Sequence, residues 1–564
     1  MKKLFTILLL SLLAVSFQNS LACTNFLISK GATKDGSVMI TYVADSHVLY
    51  GELYYWPSRN WPAGSMMDIY EWDTGKYMGK IPQVQHTNSV VGNMNQFQVA
   101  IGETTYGGRL ELMDTTAIID YGSLIYITLQ RAKNAREAIF TFSNLVSEYG
   151  YASEGESFSI SDANEVWILE LIGKGPGNKG AVWVARRIPD GYICGHANHP
   201  RITTFPLADG KKSITSKDIN KIFNPEVETV YAYDVIDVAR SHGYFKGADK
   251  DFSFSDAYAP LDFGGARFCE ARVWSGFNKV NSQMGQYLDY AMGINLKNRM
   301  PLWIKPDRKL DLNDVKNMMR DYYQNTPMDM TKDPGAGPYG STVRWRPMEW
   351  TVDGVKYFNE RAISTMQTGF SFIAQSRSWL PNPVGGIDWF GVDDTYYTVY
   401  TPMYCGITQV PESYAVGNGD MMTFSDDAAF WVFNQVSNFA YTRTRLLLGD
   451  LQTKQKELED KYLAETAGID KDAADLYAAD QAAAVQYLTN YSVASGNNTV
   501  KEWKNLYRFL FTKYVDGNVK VSQPVPKGYN RVNAKLSQPG YGDDWNRFIV
   551  KSTGDQFKEP VVKK

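Results

Sequence analysis

The sequence has few of the features that mark several large classes of protein. Its 564 residues include only 4 cysteines, too few for a disulfide scaffold, which a core of this size does not need. The 58 Lys and Arg residues nearly balance the 61 Asp and Glu residues. The net charge of -3 therefore provides no positive field for a phosphate backbone, and nucleic acid is not an expected partner. After the N-terminus, no apolar run approaches the roughly 20 residues that span a bilayer.

The composition is that of a large globular protein. Hydrophobic residues make up 44% of the chain, aromatic residues 14% and charged residues 21%. This balance excludes a disordered or fibrous protein and allows a substantial buried core. The length is compatible with several domains or with one large enzyme domain that carries insertions.

Residues 1–22 have the pattern of a secretory signal peptide. Lys2 and Lys3 precede an apolar stretch, residues 4–17, and small residues stand at Ser20 and Ala22. These small residues match positions -3 and -1 of a cleavage site. The pattern predicts cleavage after Ala22, a mature chain that begins with cysteine, and a periplasmic or extracellular localisation. A membrane anchor is the alternative, but the apolar run is short and no charged stop follows it.

Cys23, the first residue after the predicted cleavage site, has two chemical interpretations. In a lipoprotein its sulfur would be acylated and would anchor the chain. In a hydrolase it would be the nucleophile. The residues before the cut are unlike a lipoprotein signal, because Ser20 and the bulky Leu21 precede Ala22. Residues 24–29 are β-branched and apolar and predict a strand that enters the core directly, without a flexible tether.

An N-terminal cysteine carries both a thiol and an α-amine. Their ordinary pKa values are about 8.5 and about 7.7–8.0, so near neutral pH the amine can accept the thiol proton. One residue then supplies both nucleophile and base. This is the chemistry of N-terminal-nucleophile hydrolases, whose fold has two antiparallel sheets between helical layers. A cysteine that lies by chance near a cleavage site is the plain alternative.

Two segments place polar residues near this predicted first strand. A turn at residues 32–37 and the apolar run of residues 38–43 predict a hairpin that returns Asp45 towards Cys23, where its carboxylate would align the amine. Residues 94–105 predict a turn and a strand, in which Asn95 would donate to an oxyanion and Glu103 would bind a substrate amino group. The structural alternative for both Asp45 and Asn95 is an ordinary turn residue.

The next segment combines helix with antiparallel strands. Apolar residues recur at helical spacing from Tyr121 to Glu148, and four strand-like runs between residues 158 and 194 predict a meander. Asn198 follows the last run and would stabilise a tetrahedral intermediate. His196 and His199 lack the spacing and the companion ligands of a zinc site, so no metal is predicted.

The remaining chain is interpreted more coarsely. Residues 262–274 predict a loop that returns to a strand, with Arg272 facing the site or forming a surface salt bridge. The predicted boundaries are a catalytic domain over residues 23–424 with insertions, a helical subdomain over 425–520 and a C-terminal tail over 521–564. Cys194, Cys269 and Cys405 are interpreted as small buried hydrophobic residues, and their disulfide state stays open.

Three segments resemble, in order and spacing, the N-terminal-nucleophile cysteine dipeptidases, a family that includes bacterial dipeptidase A and the secernins. They are ACTNFLISKGATKDGSVMITYVADS, AIGETTYGGR and WVARRIPDGYICGHANHPRI, and the similarity is strongest over residues 23–205. The resemblance implies an α+β, four-layer αββα sandwich and the hydrolysis of dipeptides by an exposed N-terminal cysteine. The sequence departs from the family at Tyr42, where relatives commonly have Arg, and at His199 and Pro200.

The sequence thus predicts a secreted cysteine dipeptidase without metal or cofactor. Its catalytic residues are Cys23, Asp45 and Asn198, and the residues assigned to substrate binding are Asn95, Glu103, Thr104 and Arg201. Two alternatives stay open: an N-acyl amide hydrolase of the same superfamily, and a lipid-anchored protein that binds peptides or glycans. Dipeptide preference, physiological role and assembly into a homo-oligomer stay open as well.

Overall fold

The computed structural model describes residues 23–345, 348–529, 531 and 533–561. The predicted signal peptide, residues 1–22, lies outside the described residues, so its cleavage and the localisation it implies stay predictions. Within the described ranges, every helix is too short or too polar to cross a membrane.

The described chain contains many short strands and a smaller number of helices. The strands, in chain order, are β1 Asn25–Ile28, β2 Val38–Asp45, β3 Tyr55–Trp56, β4 Arg59–Asn60, β5 Met66–Tyr70, β6 Tyr77–Pro82, β7 His86–Thr87, β8 Val90–Val91, β9 Met94–Asn95, β10 Ala100–Gly107, β11 Gly155–Ser161, β12 Val166–Gly173, β13 Ala181–Arg187, β14 Ile193–His196, β15 Ser213–Thr215, β16 Thr229–Tyr231, β17 Trp303–Ile304, β18 Glu349–Val352, β19 Val355–Phe358, β20 Thr368–Ser376, β21 Gly386–Val392, β22 Thr401–Tyr404, β23 Val519–Ser522 and β24 Ala534–Ser537. The α-helices are α1 Tyr121–Leu129, α2 Ala135–Tyr149, α3 Val235–Ser241, α4 Phe254–Tyr258, α5 Ala271–Asn278, α6 Leu288–Ala291, α7 Leu312–Met319, α8 Asn382–Gly385, α9 Ala429–Tyr441, α10 Thr444–Ala479, α11 Gln481–Tyr514 and α12 Asp543–Thr553.

The first large sheet has seven strands in the order β17-β14-β1-β2-β20-β21-β22. Strands β1 and β2 are antiparallel, with Leu27 opposite Ile40, which confirms the hairpin predicted from the sequence. On its other side β1 pairs with β14, with Asn25 opposite His196. Strand β1 is therefore interior to the sheet, and Cys23 stands just before it.

The second large sheet has nine strands in the order β15-β16-β13-β12-β11-β10-β9-β8-β3. Its central strands β10, β11, β12 and β13 are antiparallel neighbours. Their burial is nearly complete, because both faces of this sheet are covered. Strand β10, which carries the Glu103 motif, lies beside β11 and packs against β2 of the first sheet.

The two sheets approach closely at Gly102 of β10. A Cβ atom at this position would lie 2.8 Å from Asn25 Nδ2 and 3.3 Å from Tyr42 Cβ, so only glycine fits without a shift of its neighbours. This close approach brings the side chain of Tyr42 to β10 and joins the two halves of the candidate site.

Helices cover the outer faces of both sheets. On the nine-stranded sheet α2 packs against β11, where the rings of Phe142 and Phe158 have centroids 4.9 Å apart. On the seven-stranded sheet α10 and α11 pack against β22, and Ser492 of α11 accepts a hydrogen bond from the Tyr404 amide at 3.2 Å. The chain therefore has a mixed architecture of helices and sheets, which is compatible with the predicted α+β class.

Two expectations about local structure are corrected. The predicted four-strand meander is divided, because β11, β12 and β13 stay in the nine-stranded sheet whereas β14 crosses to pair with β1. This crossing carries the segment that follows, residues 197–201, over to the first sheet. Residues 262–274 form helix rather than loop and strand, since a π-helical turn over Gly265–Glu270 continues into α5.

The C-terminal segments have their own secondary structure. Helices α9, α10 and α11 occupy most of residues 425–520, and the tail contains the hairpin β23–β24 and helix α12. The long helices pack on the first sheet rather than apart from it. The predicted domain boundaries at residues 424 and 520 stay predictions.

Candidate active site

The Cys23 thiol lies at the junction of the two sheets and is 4% exposed. Its Sγ atom is 3.9 Å from the Tyr42 hydroxyl and 3.9 Å from Glu103 Oε1. Strand β1 lies between β2 and β14, and its N-terminal end is beside β10. This arrangement determines where Cys23 lies. The groups that enclose the sulfur therefore influence the pKa of the thiol.

The environment holds the Cys23 thiol in its protonated form. Burial is the main cause, and the negative charges of Glu103 and Asp45 add to it, so the pKa of the thiol is raised well above its ordinary value. Hydrogen bonds from the Asp45 backbone and the Tyr42 hydroxyl act in the opposite direction but are weaker. The thiol is not a preformed thiolate and needs a base to become nucleophilic.

Glu103 projects from β10 towards the thiol. Strand alternation places Glu103 and Thr105 on one face of the sheet and Thr104 on the other. The Tyr42 hydroxyl donates a hydrogen bond to Glu103 Oε1. Burial nevertheless raises the pKa of the Glu103 carboxyl to about 7, since little in the site stabilises its charge. Glu103 can therefore gain or lose a proton near neutral pH.

Arg272, on α5, binds two segments, one that contains Cys23 and one that contains Asn198. Its Nη1 atom donates to the Cys23 carbonyl at 2.6 Å and to Thr24 Oγ1 at 2.8 Å. Its Nη2 atom donates to Asn198 Oδ1 at 2.8 Å and to the Ala197 carbonyl at 3.3 Å. The planar guanidinium thus fixes the two segments relative to each other, which a single ammonium group does not do. Arg272 is buried, so the surface salt-bridge alternative does not apply.

Asn198 is held in an unusual backbone conformation next to this guanidinium. Its φ of +55° lies in the left-handed region, which asparagine tolerates better than most residues. Its amide nitrogen donates to the Thr105 carbonyl at 2.6 Å, and its amide oxygen accepts from Arg272. The two hydrogen bonds therefore orient the Asn198 amide, and Arg272 connects it to Cys23.

Asp45 ends β2 on the same side of the sheet. Its carboxylate accepts hydrogen bonds from Arg361 at 2.6 Å and from Thr368 at 2.6 Å. Burial raises the pKa of Asp45 to about 6, although Arg361 and Thr368 oppose the shift. Asp45 is therefore an anchored carboxylate near the thiol rather than a solvated turn residue.

A cavity of about 470 Å³ opens beside Cys23. This volume lies within the usual range of small-molecule sites. Its acidic lining residues are Asp45, Asp73 and Glu103, and none of the described lining residues is Lys, Arg or His. The Tyr121 hydroxyl donates to Asp73 at 2.9 Å. The cavity is therefore suited to a ligand with a positive charge close to the thiol.

Aromatic side chains form a large part of the cavity wall. The aromatic lining residues are Tyr42, Tyr54, Trp72, Tyr121, Tyr126 and Phe370. The ring centroids of Trp72 and Tyr126 are 4.6 Å apart and those of Tyr54 and Trp72 are 5.0 Å apart. Gly122 in α1 makes this packing feasible, because a Cβ there would lie 2.4 Å from Trp72 Cγ. An apolar side chain would be buried against this wall.

Asn95 and Thr104 do not line the cavity. The Asn95 amide donates to the carbonyls of Leu129 and Ala132, at 2.7 and 2.8 Å, and so ties the turn after β9 to the end of α1. Thr104 Oγ1 lies 2.8 Å from His196 Nδ1, on the face of β10 that Glu103 does not share. Their assignment to substrate binding therefore gains no support from the cavity and stays a prediction.

Arg201 lies inside the protein, away from the cavity. It forms a 2.9 Å ion pair with Glu270 and donates to the carbonyls of Gly195, Leu302 and Pro301. These contacts join β14, the π-helical turn before α5 and the segment before β17. The geometry is that of a structural residue.

The histidines and the other cysteines also have ordinary structural surroundings. His196 is buried between Thr104 and Ser159, and burial lowers its pKa to about 3, so its ring is neutral. Over the described residues, no group of three or more His, Cys, Asp or Glu side chains has the arrangement of a metal site. All four cysteines are free thiols, and Cys194 and Cys405 are buried.

Three residues of the site were not singled out from the sequence. Arg361 and Thr368 bind Asp45 from more than 300 positions away, and Asp73 reaches the cavity from the turn between β5 and β6. No local pattern marks any of them. Tyr42 had been noted only as a departure from the family, although it contacts both the thiol and Glu103.

The structure places a buried thiol beside a cavity, and comparisons with known proteins give the class of enzyme. The model of peptidase family C69 matches residues 54–457, which is more than half of the chain. The chain belongs to this family and is a peptide hydrolase. The matched range begins after Cys23 and Asp45, so the family match does not test the catalytic roles predicted for them.

Curated relatives are similar over most of their length. Dipeptidase A of Lactobacillus helveticus is 24% identical over 543 residues, which are 92% of this chain and 97% of the relative. A probable dipeptidase of Latilactobacillus sakei is 23% identical over 85% of this chain and 92% of its own. A probable dipeptidase B of Streptococcus pyogenes serotype M1 is 23% identical over 94% and 99%.

Proposed function

We propose that the protein is a secreted dipeptidase that uses Cys23 as an N-terminal nucleophile, on an αββα N-terminal-nucleophile fold. The observation that carries the proposal is the position of the thiol. It lies beside a cavity whose charged lining is acidic and whose wall also contains several aromatic side chains. Similarity to proteins named dipeptidases supports the same substrate class.

In this proposal removal of residues 1–22 frees the α-amine of Cys23. The raised pKa of the thiol means that the sulfur attacks only if a base takes its proton, and the adjacent amine fits that role. Asp45 would orient the amine, and Arg361 and Thr368 would hold Asp45 in place. Attack on the peptide carbonyl gives an acyl-enzyme, the amine returns the proton to the leaving amino group, and water releases the acid.

Asn198 would donate to the oxyanion of the tetrahedral intermediate. Its support is indirect: Arg272 binds both the Asn198 amide oxygen and the Cys23 carbonyl, so the amide and the nucleophile keep a fixed relation. One such donor contributes about 2.7–4 kcal/mol in enzymes of this type. Glu103 would pair with the α-ammonium group of the dipeptide, 3.9 Å from the sulfur that attacks the neighbouring carbonyl.

The two alternatives are less well supported. An N-acyl amide without a positive charge would leave Asp73 and Glu103 without a cationic partner in the complex, because none of the described lining residues is Lys, Arg or His. A lipid-anchored protein would carry acyl chains on a sulfur that is 4% exposed and enclosed by Tyr42 and Glu103. Neither arrangement uses the acidic and aromatic walls together.

The test compares wild type with Cys23→Ala and Cys23→Ser in assays with dipeptides and with N-acyl amides. Cys194→Ala is the matched control, because Cys194 is another buried free thiol, in β14. We expect dipeptide hydrolysis by wild type and by the control and only background hydrolysis by both Cys23 variants. Normal hydrolysis by Cys23→Ala, or a preference for N-acyl amides, would overturn the proposal.

A further inference from the structure

Glu156, a residue that the sequence did not single out, is a buried carboxyl on the strand next to that of Glu103. It lies on β11, opposite Thr105 of β10, so its side chain shares the sheet face of Glu103 and Thr105. It is 0% exposed. Thr105 Oγ1 donates to Glu156 Oε1 at 2.6 Å. Two carboxyl groups are thus buried side by side next to the nucleophile.

The remaining oxygens of the two carboxyls identify where a proton must be. Glu103 Oε2 and Glu156 Oε2 are both buried, and no described N–H or O–H group donates to them. The two side chains are nevertheless in hydrogen-bond contact with each other. Two carboxylates repel, whereas one carboxylic acid donates to one carboxylate. A single proton held between the two groups therefore satisfies both of them.

The surroundings place this proton on Glu156. Glu103 accepts a hydrogen bond from Tyr42 and faces the thiol and the cavity, which favours its ionised form. Glu156 accepts only from Thr105 and has no contact with the cavity. Burial and the charge of Glu103 raise the pKa of Glu156 well above its ordinary value. Glu156 is therefore the donor and Glu103 the acceptor.

We propose that Glu156 is a positioning residue whose protonated carboxyl donates a hydrogen bond to Glu103 and keeps the Glu103 carboxylate ionised and oriented to receive the substrate's α-ammonium group. The inference depends on the proposed dipeptidase function and adds a residue and a charge state to it. One negative charge then meets one positive charge in a buried site, a balance that a doubly ionised pair would not give.

The groups around the pair contribute no competing cation. The titratable side chains that face Glu103 are Cys23, Tyr42, Asp73, Tyr121 and Tyr126. Those that face Glu156 are Tyr106, Tyr151 and Glu154. All of them are neutral or negative. In the proposed function the α-amine of Cys23 is paired with Asp45, which leaves the substrate amine as the cation for Glu103.

The test uses two substitutions with opposite expected results. In Glu156→Gln the neutral amide still donates to Glu103, so the KM for phenylalanyl-alanine should stay within about threefold of wild type. In Glu156→Leu the donor is lost and Glu103 becomes harder to ionise. The KM should rise about tenfold, which is about 1.4 kcal/mol. The kcat should change much less than KM.

Two further measurements separate positioning from a merely structural role. The acid limb of kcat/KM should move to higher pH in Glu156→Leu and coincide with wild type in Glu156→Gln. The affinity for 3-phenylpropanoyl-alanine, the same molecule without the amine, should be equal in all three proteins. If the leucine variant does not fold, Glu156→Met, which has a similar length, takes its place.

The outcomes are distinguishable from failure of the proposed function. Absence of dipeptide hydrolysis in wild type would contradict the function itself. Wild-type hydrolysis with an unchanged KM in the leucine or methionine variant would overturn only the role of Glu156. A more than tenfold rise of KM in Glu156→Gln would also overturn it, because it would show that Glu156 acts as a second charge.

Discussion

The charge of Glu103 should control how easily Cys23 loses its proton. Sγ and Glu103 Oε1 are 3.9 Å apart. At an effective dielectric constant of about 20, two unit charges at this distance interact by about 4 kcal/mol, or about 3 pKa units. Glu103 has a pKa of about 7 and accepts a hydrogen bond from Tyr42, so near neutral pH it does not exert the effect of a full unit charge. We expect Glu103→Gln to lower the pKa of the Cys23 thiol by about 1 to 2 units.

The direction of this shift has a mechanistic meaning. A substrate ammonium group that pairs with Glu103 neutralises the same charge that the substitution removes. Binding of the dipeptide would therefore lower the pKa of the thiol and assist transfer of its proton to the α-amine. Under the proposed function, the free enzyme would keep a protonated, less reactive thiol, and the bound substrate would activate it.

The assay is the rate of alkylation of Cys23 by iodoacetamide between pH 5 and pH 10. Cys194, Cys269 and Cys405 are also free thiols, so the modification is quantified on the N-terminal peptide by mass spectrometry. Glu154→Gln is the matched control, because it removes an exposed carboxylate from the segment just before β11. An unchanged or higher thiol pKa in Glu103→Gln, or an equal fall in the control, would refute the electrostatic reasoning.

Three other substitutions test the remaining roles. Arg201→Met should lower the free energy of unfolding, measured in urea, by about 3–5 kcal/mol, because Glu270 is left buried and unpaired. The KM of the folded enzyme should stay unchanged. An altered KM with normal stability would mean that Arg201 binds substrate. Arg272→Lys should lower kcat about tenfold or more with less effect on KM, because one ammonium group cannot make four divergent contacts. Steady-state kinetics that show an unchanged kcat would contradict this role. Burial raises the pKa of Asp393 to about 8, so its contribution to stability is present at low pH and is lost as pH rises through 8. The free energy of unfolding should therefore fall less between pH 6 and pH 9 in Asp393→Asn than in wild type. An equal fall in both proteins would exclude Asp393 as the cause.

The parts of the site that the sequence predicted are those with local signals. The hairpin that brings Asp45 back to Cys23 depends on a turn and two apolar runs, and strand β10 is marked by its own pattern. Strand alternation predicts that Glu103 and Thr104 face opposite ways. It could not show which of the two faces the thiol, because both faces of a buried sheet carry similar residues.

The parts that the sequence did not predict depend on contacts between distant segments. Arg201 follows the Asn198 motif directly, yet its partner Glu270 lies on a helical turn that was expected to be a loop. Glu156 becomes a neighbour of Glu103 only through the register of β10 and β11. A register between strands some 50 residues apart follows from the packing of the whole sheet and not from the local sequence.

The central claim is that the active enzyme begins with Cys23 and a free α-amine. The most direct measurement compares two purified forms of the same chain, one that begins at Cys23 and one that retains a single additional residue before it, with intact mass to confirm each terminus. We predict dipeptide hydrolysis only by the form with the free cysteine amine. Equal activity of the extended form would show that the amine is not the base and would contradict the account.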